Sequence, residues 1–240
     1  MSREITIVHL YPREMNIYGD MGNIITLVRR LEWRGYRAQV RSVEIGEKFD
    51  FDAADLVFGG GGQDSGQQVV AEDLLKRGPA LRALAVAGVP MLTICGLYQL
   101  FGHGFKTVQG ENLPGIDVFN TTTIGGKVRM IGNIIVETKD FGRLVGFENH
   151  SGQTLLDDGQ ESLGRVVKGY GNDPKSRREG AMSNFAVGTY MHGPVLPKNP
   201  RLADFLIAKA VERRYGAGEL EPLDDTMEQA AAKVASGRPQ

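Results

Sequence analysis

The chain has 240 residues, enough for one α/β domain of ordinary size or two very small ones. Its 28 Lys and Arg against 29 Asp and Glu leave a net charge of −1, which excludes a mainly electrostatic nucleic-acid binder. A single cysteine excludes an internal disulfide and a multi-cysteine zinc site, but not a nucleophile.

The N-terminus, MSREITIVHLYPREMNIYGD, holds no apolar run of signal-peptide or membrane-span length. The longest apolar segment, Leu81 to Ile94, is interrupted by Arg82, Gly88 and Pro90. A cytoplasmic protein is expected, and an unpaired cysteine suits a reducing compartment.

Ile5 to Leu10 is β-branched and apolar and predicts a first strand. A helix follows, with Asp20 as a possible cap, Ile24, Val28 and Leu31 on one face and Gly35 as a stop. Arg37 to Ile45 predicts a second strand. Asp55 to Phe58 predicts a third, running into Gly59–Gly62. Ser65 is placed to cap a helix reaching about Ala87, and Val89 to Ile94 forms a buried strand that ends at Cys95. This alternation predicts a mostly parallel sheet with helices on both faces. In the middle, Gly125-Gly126 is expected to separate β-rich stretches at 117–123 and 128–137. Short strands follow at 144–148, 163–168 and 185–191, then a helix over 199–215. One domain over 1–215 is expected, with 216–240 as a C-terminal tail, mobile or docked on a partner.

Sites in parallel sheets form at the carboxyl edge. Thr93-Ile94-Cys95-Gly96, a strand turning into a helix, describes a nucleophile elbow with cysteine in the serine position. A turn of this kind exposes the sulfur and favours the thiolate; the plainer alternative is a buried cysteine acting as a small hydrophobe. The Gly59–Gly62 run is placed to offer an oxyanion a backbone N–H, together with the amide after Cys95. GxxxxGK[ST] is absent and no GxGxxG joins the first strand to its helix, so nucleotide binding is not expected. Of the four histidines, His192 in Gly188-Thr189-Tyr190-Met191-His192-Gly193-Pro194 has the best context for a general base, and His150 is its rival.

Five segments together resemble a known family: Asn16–Asn23 (NIYGDMGN), Gly59–Gly61, Thr93–Gly96, Gly146–His150 (GFENH) and Gly188–Asn199 (GTYMHGPVLPKN). They are similar to the cysteine-triad glutamine amidotransferases, in the cobyric-acid-synthase-like branch, and within it to the glutaminase subunits of lipid II isoglutaminyl synthases. The resemblance implies a three-layer α/β sandwich of class I glutamine amidotransferase-like, flavodoxin-like form, with an added β-rich segment.

It also implies that Cys95 attacks the side-chain amide of glutamine, with His192 as base and then acid. Backbone amides of Gly60 or Gly61 and of Gly96 or Leu97 would hold the oxyanion. Arg129 would take the α-carboxylate, and Gln99 would line the pocket. Many relatives carry a carboxylate two residues after the histidine. Here that residue is Pro194, so the orienting acid must come from elsewhere, with Asp20 first and Glu148 second. Leu97, where relatives often have glycine, is expected to narrow the mouth. No cofactor is expected in this chain. ATP and Mg belong to an implied Mur-ligase-like synthetase, forming a heterodimer that amidates the D-glutamate of lipid II. Other readings are a cobyrinate-type acceptor or a different cysteine hydrolase on a flavodoxin-like sheet.

Overall fold

The computed structural model describes residues 3–238. Its central sheet is built in chain order from β1 (Glu4–Leu10), β2 (Arg37–Val43), β3 (Leu56–Gly59) and β4 (Met91–Ile94), and later from β11 (Ala181–Ser183) and β12 (Ala186–Thr189). The spatial order is β11-β12-β4-β3-β1-β2, all neighbours parallel except the β11–β12 edge. β3, β4 and β12 are buried at every position, as strands covered on both faces must be.

The covering helices are α1 (Met21–Glu32), α2 (Asp64–Val86), the short α3 (Gly96–Phe101) and α4 (Pro200–Tyr215). α1 buries Ile24, Leu27 and Leu31, one stripe at helical spacing, with Val28 at its margin. Neither expected cap acts as one. Ser65 lies inside α2, and the side chain receiving the first α1 amide is Asn16, whose Oδ1 accepts from Met21 N at 2.8 Å. Asp20 is turned elsewhere.

A second sheet takes up the middle of the chain. It comprises β5 (Gly104–Lys106), β6 (Asn112–Pro114), β7 (Thr121–Thr138), β8 (Gly142–Leu156), β9 (Gly164–Lys168) and β10 (Arg178–Glu179). The expected break at Gly125-Gly126 is not a break. β7 runs through it as one 18-residue strand, antiparallel to the 15-residue β8. What the glycines mark is a slip in register. Gly125 pairs with Gly152 and Met130 with His150, so residues 126–129 oppose Ser151 alone. A bulge of this kind bends a strand and re-aims a side chain, and the residue at its end is Arg129.

Two seams join the sheets next to β12. Glu179, fully buried on β10, accepts through Oε1 from Thr189 Oγ1 (2.5 Å) and Tyr190 N (2.8 Å). Past β12, His192 N donates to Phe147 O at 2.6 Å and Phe147 N donates to His192 O at 3.2 Å, tying the loop to β8.

After α4 the chain returns across α1 and ends in α5 (Thr226–Ser236), none of whose residues is buried. The return is fastened by Arg30 on α1, whose side chain is only 1% exposed. Its Nε and Nη2 donate to Asp204 and its Nη1 to Asp225, each at 2.7 Å. Arg34 binds Asp204 as well (2.8 Å) and donates to Glu221 O (2.7 Å). Among the described residues no helix is long and apolar enough to cross a membrane.

Candidate active site

Four strands deliver their carboxyl ends to one place: β1 through the 11–20 loop, β3 through the glycine run, β4 through Cys95 and β12 through His192. Cys95 holds φ 47° and ψ −100°, outside the regions that ordinary residues occupy. Its amide is tied to Thr189 O at 2.8 Å while the chain turns into α3. The strained elbow read from the sequence is therefore present, and strain of this kind concentrates at functional sites.

His192 and Asp20 are both fully buried, with Nδ1 3.5 Å from Oδ1. The contact is long for a hydrogen bond, as is common before a substrate tightens such a site. Burial opposes charge on His192, but the Cys95 sulfur and the Asp20 carboxylate outweigh it and raise its pKa to about 10. The second oxygen of Asp20 is fixed by the main chain, accepting from Gly61 N at 2.7 Å.

Gly61 stands where all three groups meet. A Cβ on it would lie 2.6 Å from His192 Cε1, 3.3 Å from Asp20 Oδ2 and 3.3 Å from Cys95 Cβ. A side chain at this position would push the three apart. At Gly60 a Cβ would strike Met15 O at 2.2 Å, so this glycine lets the β1 loop lie down against the run.

Pro194 occupies the position where many relatives carry an acid, and its ring packs on Gly22, where a Cβ would lie 2.4 Å from Pro194 Cγ. That contact lays the histidine loop against the start of α1, next to Asp20. Asn23 supports it, accepting from Leu196 N at 2.9 Å, and Asn199 pins the far end to Val145 N and O, both at 2.9 Å. Glu148, the second candidate acid, is engaged elsewhere: Tyr170 N and Gly171 N each donate to it at 2.8 Å, and it lies 3.8 Å from His150. His150 donates through Nδ1 to Gly152 O (2.8 Å) and stacks on Tyr190 at 3.6 Å, and burial pushes its pKa down.

A cavity of about 380 Å³ opens above the sulfur. Its wall includes Cys95, Gln99, Arg129, Tyr18, Asn149, His150 and Gly62. Gln99 is satisfied within the protein, accepting from Gln67 Nε2 (2.8 Å) and donating to Tyr190 Oη (3.0 Å), so it stiffens the wall. Two expectations need correction. Leu97 does not narrow the mouth: it is fully buried and packs beneath Gly59, where a Cβ would lie 2.4 Å from Leu97 Cδ1. Of the two glycines expected to offer an oxyanion donor, Gly61 has its amide already committed to Asp20, and Gly62 of the same run lines the cavity. Tyr18 and Asn149, in NIYGDMGN and GFENH, are functional candidates that local sequence does not single out. Their partners are far apart in the chain, and only the fold joins them.

Residues 6–200 match the CobB/CobQ-like glutamine amidotransferase domain. The chain belongs to that family. Over 235 residues it is 38% identical to the lipid II isoglutaminyl synthase (glutamine-hydrolyzing) subunit GatD of Staphylococcus aureus, covering 98% of this chain and 96% of that one. Identity to the Streptococcus pneumoniae protein of the same name is 36% over 236 residues, covering 97% and 91%. A cobyric acid synthase of Pelotomaculum thermopropionicum is 33% identical over 133 residues, 48% of this chain and 25% of that one. In fold, a glutamine amidotransferase from Thermotoga maritima superposes with a TM-score of 0.53 at 18% identity, over 97% of this chain and 94% of that one. A second glutamine amidotransferase structure gives 0.59 at 14% identity, over 85% and 98%. The glutamine amidotransferase fold expected from the sequence is thus the fold observed, and the amidotransferase family is the expected one.

Proposed function

We propose that this chain is the glutamine-hydrolysing subunit of a lipid II isoglutaminyl synthase. The observation that carries the chemistry is the meeting of Cys95, His192 and Asp20, from three separate strand ends, under a cavity with Arg129 across its mouth. The acceptor is argued from the two relatives that match nearly end to end, whereas the cobyric acid synthase match concerns about half of the chain.

The Cys95 sulfur attacks the γ-carbonyl of L-glutamine. His192, its pKa raised beside Cys95 and Asp20, holds the proton taken from the thiol and passes it to the departing ammonia, while Asp20 orients the imidazolium. Water then cleaves the γ-glutamyl thioester and releases glutamate. The oxyanion is received by main-chain N–H groups, the amide at Gly96 or Leu97 on one side and Gly62 on the other. Arg129 pairs its guanidinium with the α-carboxylate.

Residues 1–215 carry this reaction, and 216–240 are an appended tail. The ammonia passes to a partner, a Mur-ligase-like synthetase that uses ATP and Mg and amidates the D-glutamate of lipid II to D-isoglutamine. On this reading the two chains are a cytoplasmic heterodimer.

The test is glutamate release from L-glutamine by the purified chain, alone and with its synthetase, beside Cys95→Ala. Cys95→Ala is expected to abolish release in both settings. Retained hydrolysis would remove the mechanism. A co-purifying chain unlike a Mur ligase would remove the acceptor.

A further inference from the structure

Three side chains at the cavity mouth form a row that crosses from one sheet to the other. Arg129 Nε donates to Asn149 Oδ1 at 2.5 Å, and Asn149 Nδ2 donates to Tyr18 Oη at 2.7 Å. The Tyr18 ring then stands edge-on to His192, with centroids 4.9 Å apart and planes at 70°. Arg129 and Asn149 come from the bulged β7–β8 pair, while Tyr18 comes from the turn at 17–19 that ends at Asp20. Tyr18 sits at φ 55° and ψ 24°, a left-handed conformation disfavoured for a bulky side chain. The residue is 43% exposed, so burial does not account for that conformation. What the conformation achieves is to bring the hydroxyl to Asn149 and the ring to His192.

The donor inventory gives this row a ligand. With Nε given to Asn149, Arg129 presents its Nη edge. With Oη accepting from Asn149, Tyr18 has its own O–H proton to give. Both groups line one cavity, at a distance fixed by the amide between them.

We propose that Arg129, Asn149 and Tyr18 are a clasp for the α-carboxylate of the substrate, in which the Tyr18 hydroxyl is the second donor and the Tyr18 ring is a positioning residue for His192. The ligand class is an α-amino acid with a free carboxylate and a side-chain amide. The clasp rests on the glutamine reading above. Its distinct consequence is that gripping the carboxylate and orienting the base are one event, because one residue does both.

The experiment labels Cys95 of the full chain with 6-diazo-5-oxo-L-norleucine, a glutamine-shaped electrophile, and separately with iodoacetamide, which offers no carboxylate. Labelling is followed by mass spectrometry across concentration and pH. Wild-type labelling by the diazo compound is expected to saturate; failure to label would overturn the glutamine reading itself, and the clasp with it. Given saturation, Tyr18→Phe is expected to raise the half-saturating concentration about fivefold, the scale of one net hydrogen bond, with a smaller effect on iodoacetamide. Asn149→Ala is expected to cost less in the Tyr18→Phe background than in wild type, because the two act in one row. Tyr18→Leu is expected to shift the pH profile of iodoacetamide labelling, and Tyr18→Phe to keep it. An unchanged half-saturation in Tyr18→Phe, an equal loss with both reagents, strict additivity with Asn149→Ala, or a wild-type pH profile in Tyr18→Leu would each overturn the clasp with the glutamine reading intact.

Discussion

The two walls of the cavity are built by opposite means. On the parallel-sheet side Cys95 is 6% exposed, His192 and Asp20 not at all, and their positions are set by the main chain: a strained elbow, a paired loop, a glycine amide on the carboxylate. On the β7–β8 side Arg129 is exposed, sits at the end of a bulge and is held by a side-chain hydrogen bond. The contrast follows from the work proposed for each wall. Acyl chemistry needs atoms fixed within tenths of an ångström in a dry setting, whereas a carboxylate grip must admit and release a ligand. Damage on the first wall is expected to fall on kcat, and damage on the second on KM.

Asp20→Asn gives the sharpest break. Asparagine can still accept from Gly61 N, but it then turns an NH2 toward His192 Nδ1 and selects the wrong tautomer. Steady-state glutaminase assays are expected to show kcat lowered by about 10³- to 10⁴-fold with KM little altered. If Glu148→Gln caused that loss and Asp20→Asn did not, the orienting acid would be Glu148.

Arg129→Lys is the matching change on the other wall. It keeps the charge but loses both the fork and the Nε bond to Asn149. KM for glutamine is expected to rise about tenfold or more while kcat changes less. A fall in kcat at constant KM would erase the distinction between the walls.

The smallest effect concerns the seam where the walls join. Burial raises the Glu179 pKa to about 7, and its Oε2 has no hydrogen-bond partner. The fold therefore binds a proton that the unfolded chain releases near the ordinary carboxylate value. Stability is expected to fall as pH rises from about 4.5 through 7 and to level off above that. Glu179→Gln keeps an acceptor for Thr189 and Tyr190 and removes the titration. Urea unfolding at pH 5.5 and 8 is expected to show a smaller pH dependence in the variant, by about 2 kcal/mol. An identical pH dependence would mean that Glu179 is not the titrating group.

The same division governs what could be read from the sequence. The buried wall was legible because main-chain devices leave local marks: β-branched runs for the strands, a glycine run after β3, cysteine between a strand and Gly96, histidine before Gly193-Pro194. Asp20 was ambiguous, since an acid at a helix start reads equally well as a cap, and only Asn16 taking the Met21 amide resolves it. The outer wall was legible only through resemblance. Gly125-Gly126 reads as an end of strand by composition, because a bulge and a break use the same residue. The link from Tyr18 to Asn149 spans 131 residues and leaves no local trace. Leu97 misled for a related reason: a position beside the nucleophile says nothing about which way its side chain points.

The fastening of Arg30 gives the last stretch of chain an electrostatic identity. Arg30 and Arg34 share Asp204, so two buried guanidiniums face one half-buried carboxylate until Asp225 joins them. The segment that carries Asp225 is in this respect a counter-ion, delivered to a helix that begins one residue after Asp20. Asp225 and the proposed catalytic acid are thus tied to the same helix, one through charge balance and the other through covalent continuity.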